Sequence, residues 1–182
     1  MSAPTRVRVN GVMADGPLVR SPVTGREAAV IGWFFSERFT PIRGRRPDNT
    51  LLDQDDYSLR TAGRFAPAWL RVDVGGRLVR IDARACVVGI ASSQWDGEIL
   101  NQLPEALAHV RVDLTDKNLR YGERWLAPGD TVILDAEVQP VSPEPTPSPY
   151  RDDERDRPPP AEYEAVGSAR VDDTIGTDLR VG

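Results

Sequence analysis

The side chains best suited to acid–base chemistry are scarce in this chain. It has one histidine, His109, and one cysteine, Cys86, among 182 residues. A Ser-His-Asp site would have to use His109, and the G-x-S-x-G turn that presents a nucleophilic serine is absent from the sequence. Cys86 lies in the apolar run ARACVVGIA, where a buried thiol behaves as a small hydrophobic side chain. We therefore predict that the protein is not an enzyme.

Acidic residues near the middle of the chain could bind a cation. Their spacing does not follow an EF-hand loop, because the central glycine and the terminal glutamate of that pattern are missing. Neither a P-loop nor a G-x-G-x-x-G pattern occurs in the sequence. We expect a solvated loop here and predict no metal and no cofactor. The acidic residues are Asp48, Asp53, Asp55 and Asp56.

A basic run, RGRR, lies beside this acidic run within the polar, irregular stretch Ser36–Arg64. This stretch is expected to be a long loop or an extended hairpin on the surface. Mixed charge around a few apolar side chains is typical of a protein-contact surface, in which apolar anchors give affinity and charges give specificity. The predicted binding residues are Arg43, Arg45, Arg46 and Tyr57.

Nucleic acid is the alternative partner. The aromatic residues Trp33, Phe34, Phe35 and Phe39 could stack bases in an oligonucleotide-binding (OB) barrel, or they could fill the barrel core. The net charge of −5 and the neighbouring aspartates oppose a nucleic-acid surface. A protein partner of unknown identity is therefore the main prediction, with single-stranded nucleic acid as the alternative.

Strand-like segments dominate the elements that would position these residues. Alternating or apolar runs with β-branched residues predict strands, and Gly75-Gly76 predicts a hairpin turn. One short helix is expected over Leu103–Val110, with Pro104 in its first turn. The strands are expected at Arg6–Met13, Ala28–Phe35, Ala68–Val74, Leu78–Ile81, Arg111–Leu114 and Thr131–Val138.

These elements predict a mostly β fold, a small and partly open antiparallel OB-like β-barrel with one short helix and a proline-rich C-terminal region. The core is expected to contain Trp33, Phe35, Trp69, Leu70, Val72, Ile81, Val132 and Leu134.

The chain is expected to divide into a barrel domain, a linker and a C-terminal segment. The barrel covers residues 1–141, a proline-rich charged linker covers 142–162, and the segment 163–182 could dock as an extra strand. Deletion of Ser142–Gly182 is expected to leave a folded barrel, because prolines donate no ladder bonds. The sequence has no apolar run long enough to span a membrane, no signal peptide core and one cysteine. We therefore expect a cytoplasmic protein without membrane insertion.

Three segments in order resemble one known family. The first is Val9–Phe35, VNGVMADGPLVRSPVTGREAAVIGWFF; the second is RFAPAWLRVDVGGRLVRIDARACVV; and the third is ERWLAPGDTVILDAEVQPV. Together they resemble the GIDE-type domain, the β-rich module of the mitochondrial "growth inhibition and death" E3 ligases and of bacterial relatives. The residues that match its signature, for which a structural role is expected, are Pro17, Leu18, Ser21, Pro22, Gly25, Arg26, Gly129 and Asp130.

The resemblance implies a domain and not an activity. A RING finger needs sets of cysteine and histidine ligands for zinc, and this chain has one of each. The chain also departs from the family pattern, with Ala28 where many members have cysteine, Ala83 in place of a proline and Ala136 in place of a glycine. The resemblance and the composition together predict a non-catalytic protein-interaction or adaptor module of a bacterial assembly.

Overall fold

The computed structural model describes residues 3–39, 56–90, 99–142 and 158–174. In these parts of the chain the regular structure is almost entirely strand. The strands are β1 Thr5–Met13, β2 Val19–Arg20, β3 Glu27–Ala28, β4 Val30–Phe39, β5 Asp56–Phe65, β6 Trp69–Val74, β7 Arg77–Asp82, β8 Cys86–Gly89, β9 Leu119–Leu126, β10 Thr131–Pro140 and β11 Tyr163–Asp173.

Five of the strands close into a barrel. β1 pairs with β10 and with β6, β6 pairs with β7, β7 pairs with β11, and β11 returns to β10. The predicted mostly β barrel is thus confirmed. The prediction that it is antiparallel throughout is wrong, because β11 runs parallel to β7 and also to β8. The parallel pairing arises because β11 comes from the C-terminal end of the chain and not from a hairpin with β7.

Alternation along the barrel strands places one set of side chains inside. In β10 the buried residues Val132, Leu134 and Ala136 alternate with partly or fully exposed ones. Gly75 and Gly76 have the positive φ values of 62° and 84° that their tight turn between β6 and β7 requires. Seven residues of the predicted core are buried, namely Trp33, Phe35, Leu70, Val72, Ile81, Val132 and Leu134.

Trp69 does not belong to the core. It is half-buried, because Leu70 takes the inward position in β6 and the neighbouring residue must point to the other face. The guanidinium of Arg80 lies 5.7 Å from the Trp69 ring centroid. The prediction that Trp69 is a core residue is therefore wrong.

The C-terminal strand is part of the barrel. β11 pairs with β10 from Pro140 opposite Tyr163 to Val132 opposite Asp173. Its residues Ala169 and Val171 lie in the hydrophobic core. These contacts reverse the expectation that deletion of Ser142–Gly182 leaves a folded barrel.

A second, three-stranded sheet, in the order β5-β4-β9, lies beside the barrel. One face of its central strand packs on a separate cluster that contains Trp33, Phe35, Leu107, Val110, Leu119 and Tyr121. Both ends of the stretch Ser36–Arg64 are strand in this sheet, with a bulge between Phe35 and Ser36. Of the two expected alternatives, a long loop and an extended hairpin, the described ends of this stretch form the extended hairpin.

The expected helix over Leu103–Val110 is only a 3₁₀ turn, Glu105–Leu107. Its backbone bonds include Leu107 N–H to Pro104 O at 2.9 Å and Val110 N–H to Leu107 O at 2.9 Å. A single turn fixes many dihedral angles for few hydrogen bonds, so this segment does not extend into an α-helix. Within the described ranges, no helix has the length and apolar character needed to cross a membrane.

Candidate functional site

The residues predicted to bind a partner are only partly described. Arg43, Arg45 and Arg46 lie outside the described residues. Tyr57 lies in β5 with its backbone opposite Arg38 of β4, so it belongs to a strand and not to a loop. Its side chain lies outside what the structure describes. The contribution of all four residues to an interface remains a prediction.

Ser21, the first residue of the turn Ser21–Arg26, is buried and makes hydrogen bonds through its hydroxyl. Ser21 is 3% exposed. Its hydroxyl accepts the backbone N–H groups of Val23 and Thr24, each at 3.1 Å, and donates to the Glu123 carboxylate. The same turn is closed by Ser21 N–H to Arg26 O at 2.8 Å. The hydroxyl is therefore occupied by local structure and is not available as a nucleophile.

The Glu123 carboxylate takes hydrogen bonds from three hydroxyl groups. Besides Ser21, Thr24 Oγ1 donates to it at 2.7 Å and the Tyr121 hydroxyl donates at 2.6 Å. Glu123 is 4% exposed, and a buried carboxylate requires such donors to offset its loss of hydration. This arrangement joins the turn at Ser21 to β9, more than 90 residues along the chain.

Of the other residues near this turn for which a structural role is expected, Arg26 is partly buried and the rest are exposed. Gly25 has a φ of 72°, a conformation that favours glycine. The Arg26 guanidinium carbon lies 3.3 Å from the centroid of the Trp125 ring. Pro17, Leu18 and Pro22 are exposed.

Backbone hydrogen bonds join the Pro128-Gly129-Asp130 turn to the end of β1. Gly129 has a φ of 93° and donates its N–H to Met13 O at 2.8 Å. The Asp130 carboxylate accepts the N–H of Ala127 at 2.7 Å, and the Asp130 carbonyl accepts the N–H of Met13 at 2.9 Å. Every polar group in this set bonds to the backbone of the turn or of β1.

The single histidine and the single cysteine of the chain lie at different hydrophobic clusters. His109 is exposed, with its ring centroid 6.3 Å from that of Trp33. Cys86 is buried, and this burial raises the pKa of its thiol to about 11, although nearby Arg64 opposes the shift. Among the described residues, no group of histidine, cysteine and acidic side chains is arranged to hold a metal ion.

A cavity lies where the three-stranded sheet meets β8, and we call it the junction groove. Its volume is about 740 Å³, which is within the usual range of ligand sites. Its apolar lining includes Val30, Phe34, Leu59, Val88 and Ile90, and its polar lining consists of Ser36, Arg64 and Arg124. None of the described residues that line it is acidic.

Strand register brings the lining residues of the junction groove together. Gly32 in β4 is flanked by Arg64 in β5 and by Arg124 in β9. Two residues further along, Phe34 is flanked by the small residues Ala62 and Gly122. The sheet therefore presents two arginines across a glycine, followed by an aromatic ring between two small residues.

Both arginines also connect the three-stranded sheet to the segment 83–90 of the same chain. Arg64 donates to the carbonyl oxygens of Cys86, at 2.6 Å, and of Ala83. Arg124 donates through Nη1 to the carbonyl of Ile90 at 3.2 Å, and its guanidinium carbon lies 5.5 Å from the Phe34 ring centroid. These contacts leave further N–H donors on each guanidinium, because arginine has five.

Two polar atoms of the groove lining are buried without a partner. They are Ser36 Oγ and Arg124 Nε. Most buried polar atoms in native proteins are hydrogen-bonded, and each exception needs a reason. Ser36 is 4% exposed, yet Leu59, opposite it in β5, is 63% exposed.

Sequence analysis did not identify this groove. The only available signal was the alternation of Gly32, Phe34 and Ser36, which marks the face of β4 opposite Trp33 and Phe35. The two arginines that complete the face come from strands about 30 and 90 residues further along the chain, as the pairing register shows. No local pattern connects them.

Comparisons of the chain with protein-family models, with curated proteins and with solved structures find no match.

Proposed function

We propose that this protein is a non-catalytic protein-interaction module and that the junction groove is its binding surface. The observation that carries the proposal is the composition of the groove. A lining that, over the described residues, is apolar with two arginines combines buried contact area with charge selectivity, as protein-binding surfaces do. The exposed Leu59 side chain supplies an apolar anchor at its edge.

The surrounding structure supports a rigid binding face. β4 is paired on both sides, with β5 and with β9. The opposite face of β4 packs through Phe35 on Tyr121, with ring centroids 5.2 Å apart. Tyr121 in turn donates to the buried Glu123 carboxylate. A preformed surface loses little conformational entropy when a partner binds.

The family and the finer fold type are part of the same proposal. The barrel order β1-β6-β7-β11-β10, which returns to β1, with β7 parallel to β11, supports an OB-like barrel. The hydrogen-bonded turns at Ser21 and Gly129 support a structural role for the signature shared with GIDE-type domains. We propose a cytoplasmic location, which the single, buried cysteine supports.

The test is partner capture with two matched variants. Leu59→Asp places a charge in the groove, whereas Val87→Asp places the same charge on a residue that is 54% exposed and outside the lining. After nuclease treatment of the extract, the wild type and Val87→Asp should retain the same protein partner and Leu59→Asp should lose it. Retention by all three proteins, with unchanged thermal melts, would contradict a role for the groove.

The predicted hairpin residues form a separate arm of this test. The pair Arg45→Glu with Arg46→Glu should reduce capture without changing the melt if the connection between β4 and β5 extends the interface. If only Leu59→Asp affects capture, the interface is confined to the groove.

Single-stranded nucleic acid is the second candidate, and one observation favours it. The β4–β5 hairpin leaves the barrel between β1 and β6, and connections between the first two strands bind oligonucleotides in OB barrels. Fluorescence anisotropy with a labelled oligonucleotide, repeated over a range of salt concentrations, would test it. Binding that weakens steeply with salt and is lost in the Arg45→Glu, Arg46→Glu protein would support nucleic acid.

A further inference from the structure

The junction groove places cationic and apolar groups side by side, and these restrict what it can bind. Arg64 and Arg124 lie on either side of Gly32, so their Cα atoms are about 10 Å apart by the spacing of neighbouring strands. Apolar groups lie beside them, because the Arg124 guanidinium carbon is 5.5 Å from the Phe34 ring centroid and Arg124 donates to the carbonyl of Ile90. A ligand that fills the groove is therefore expected to carry negative charge next to apolar surface.

Gly32 lies between the two arginines in the pairing register. A Cβ atom built on Gly32 would lie 3.7 Å from the Arg124 carbonyl oxygen and 3.7 Å from Ile90 Cδ1, which is ordinary contact. A methyl group could thus be tolerated at this position. Because Gly32 has no side chain, β4 contributes only backbone to the groove lining between Arg64 and Arg124.

The length of the groove suits a short piece of extended chain. From Gly32 to Ser36 the central strand spans about 13 Å at the usual rise per residue, which corresponds to about four residues of a bound strand. Arg64 already donates to two backbone carbonyls, so the two guanidinium groups have fewer N–H donors left for a ligand. This remaining set suits one carboxylate better than a phosphate, which has more oxygen atoms to satisfy. Arg124 donates to one backbone carbonyl through Nη1, and a guanidinium has further N–H groups for a ligand.

We propose that the junction groove binds an extended protein segment in which a carboxylate lies next to a bulky apolar side chain. The carboxylate contacts Arg124 and Arg64 over Gly32, and the apolar side chain packs on Phe34 and Leu59. The carboxylate comes from an aspartate or glutamate side chain or from the C-terminus of the partner. This inference rests on the proposed protein-binding function and specifies the partner's chemistry.

The test is selection of random peptides displayed in two libraries, one with free C-termini and one with peptides held internally. Enriched sequences should place an acidic residue, or the free C-terminus, next to an aliphatic or aromatic residue. Enrichment from the free-terminus library alone would identify a terminal carboxylate, and enrichment from both would identify a side-chain carboxylate. A consensus without a carboxylate, or no enrichment from either library, would overturn the proposal.

Affinities of a selected synthetic peptide for the purified full-length variants then locate the contact. Arg124→Gln should weaken binding by about tenfold or more, since it removes hydrogen bonds to a charged group. Leu59→Asp should weaken it at least as much, while Val87→Asp should bind like the wild type. Gly32→Leu should fill the groove and abolish binding.

The two possible failures are distinguishable. If Leu59→Asp and Gly32→Leu lose a captured protein partner but peptides selected on the wild type lack a carboxylate, the groove binds protein and the inferred chemistry is wrong. If carboxylate peptides bind equally well to Leu59→Asp, Gly32→Leu and Arg124→Gln proteins that remain folded, the site lies elsewhere. Preferential binding of oligonucleotide at the groove would refute both proposals.

Discussion

Two buried serines show how the same side chain serves different purposes at different places. Ser21 and Ser36 are 3% and 4% exposed. The Ser21 hydroxyl makes three hydrogen bonds, whereas Ser36 Oγ has no partner. Burial of an unpaired hydroxyl costs free energy, and removal of one member of a satisfied set leaves its partners unpaired.

Replacement of Ser21 by alanine should destabilise the fold. It removes a donor from the Glu123 carboxylate and leaves the N–H groups of Val23 and Thr24 without their acceptor. The expected loss is about 2–3 kcal/mol in the free energy of unfolding, measured by urea denaturation. A loss well below this would show that the network contributes little to stability.

Replacement of Ser36 by alanine should not destabilise the fold, in contrast to the replacement of Ser21. Since the hydroxyl is buried and unpaired, its removal should leave stability unchanged or raise it by up to about 1 kcal/mol. The Ser21→Ala protein, measured under the same conditions, is the matched control. A marked loss of stability in Ser36→Ala would mean that this hydroxyl is bonded in solution.

At the scale of elements, β11 pairs with β7 and with β10, and it supplies a carboxylate that accepts hydrogen bonds from both strands. The Glu164 carboxylate accepts hydrogen bonds from Gln139 of β10, at 2.9 Å, and from Arg80 of β7, at 2.8 Å. The Gln139 hydrogen bond and then the Arg80 guanidinium lower the pKa of Glu164 from its ordinary value of 4.5. The strand is therefore held by side chains as well as by its backbone ladder.

The lowered pKa of Glu164 predicts a defined pH dependence. Because the folded state holds this proton less tightly than the unfolded state, the contribution to stability is present above pH 4.5 and is lost as pH falls below it. The difference in unfolding free energy between the wild type and Glu164→Gln should thus be largest near neutral pH and shrink in acid. Glu137→Gln, an exposed neighbour in β10, is the control. A difference that stays constant from neutral pH to acid would contradict the assignment.

Deletion of Ser142–Gly182 should unfold the barrel. The deletion removes β11 and with it the buried residues Ala169 and Val171, and it exposes the edges of β7 and β10. Unpaired edges and lost core contacts destabilise a small barrel. Circular dichroism should show no cooperative thermal transition for the truncated protein. A sharp transition near that of the full chain would show that the remaining strands suffice.

For the molecule as a whole, the sequence predicts the structural features that depend on residues close together along the chain. The mostly β character, the turn at Gly75-Gly76 and the inward residues Val132 and Leu134 follow from alternation and turn chemistry, and the structure has all of them. Among the predicted core residues, the division between inward and outward residues fails only at Trp69, which lies on a strand but faces outward beside the inward Leu70.

Features that depend on distant pairings were not predictable from local pattern. The sequence predicts that the segment 163–182 could dock as an extra strand, but not that β11 completes the barrel. The junction groove requires Gly32, Arg64 and Arg124 to become neighbours across three strands. Such contacts are set by register between remote segments, which alternation alone does not specify.

Site-specific photo-crosslinking tests the central claim, that the junction groove binds a protein, most directly. A photoreactive phenylalanine analogue would replace Leu59 in one protein and Val87, on the neighbouring strand β8, in another. Irradiation in cells should give a discrete adduct from position 59 that protease removes and nuclease does not, and no such adduct from position 87. Equal labelling at both positions, or an adduct from position 59 that nuclease removes, would contradict the account.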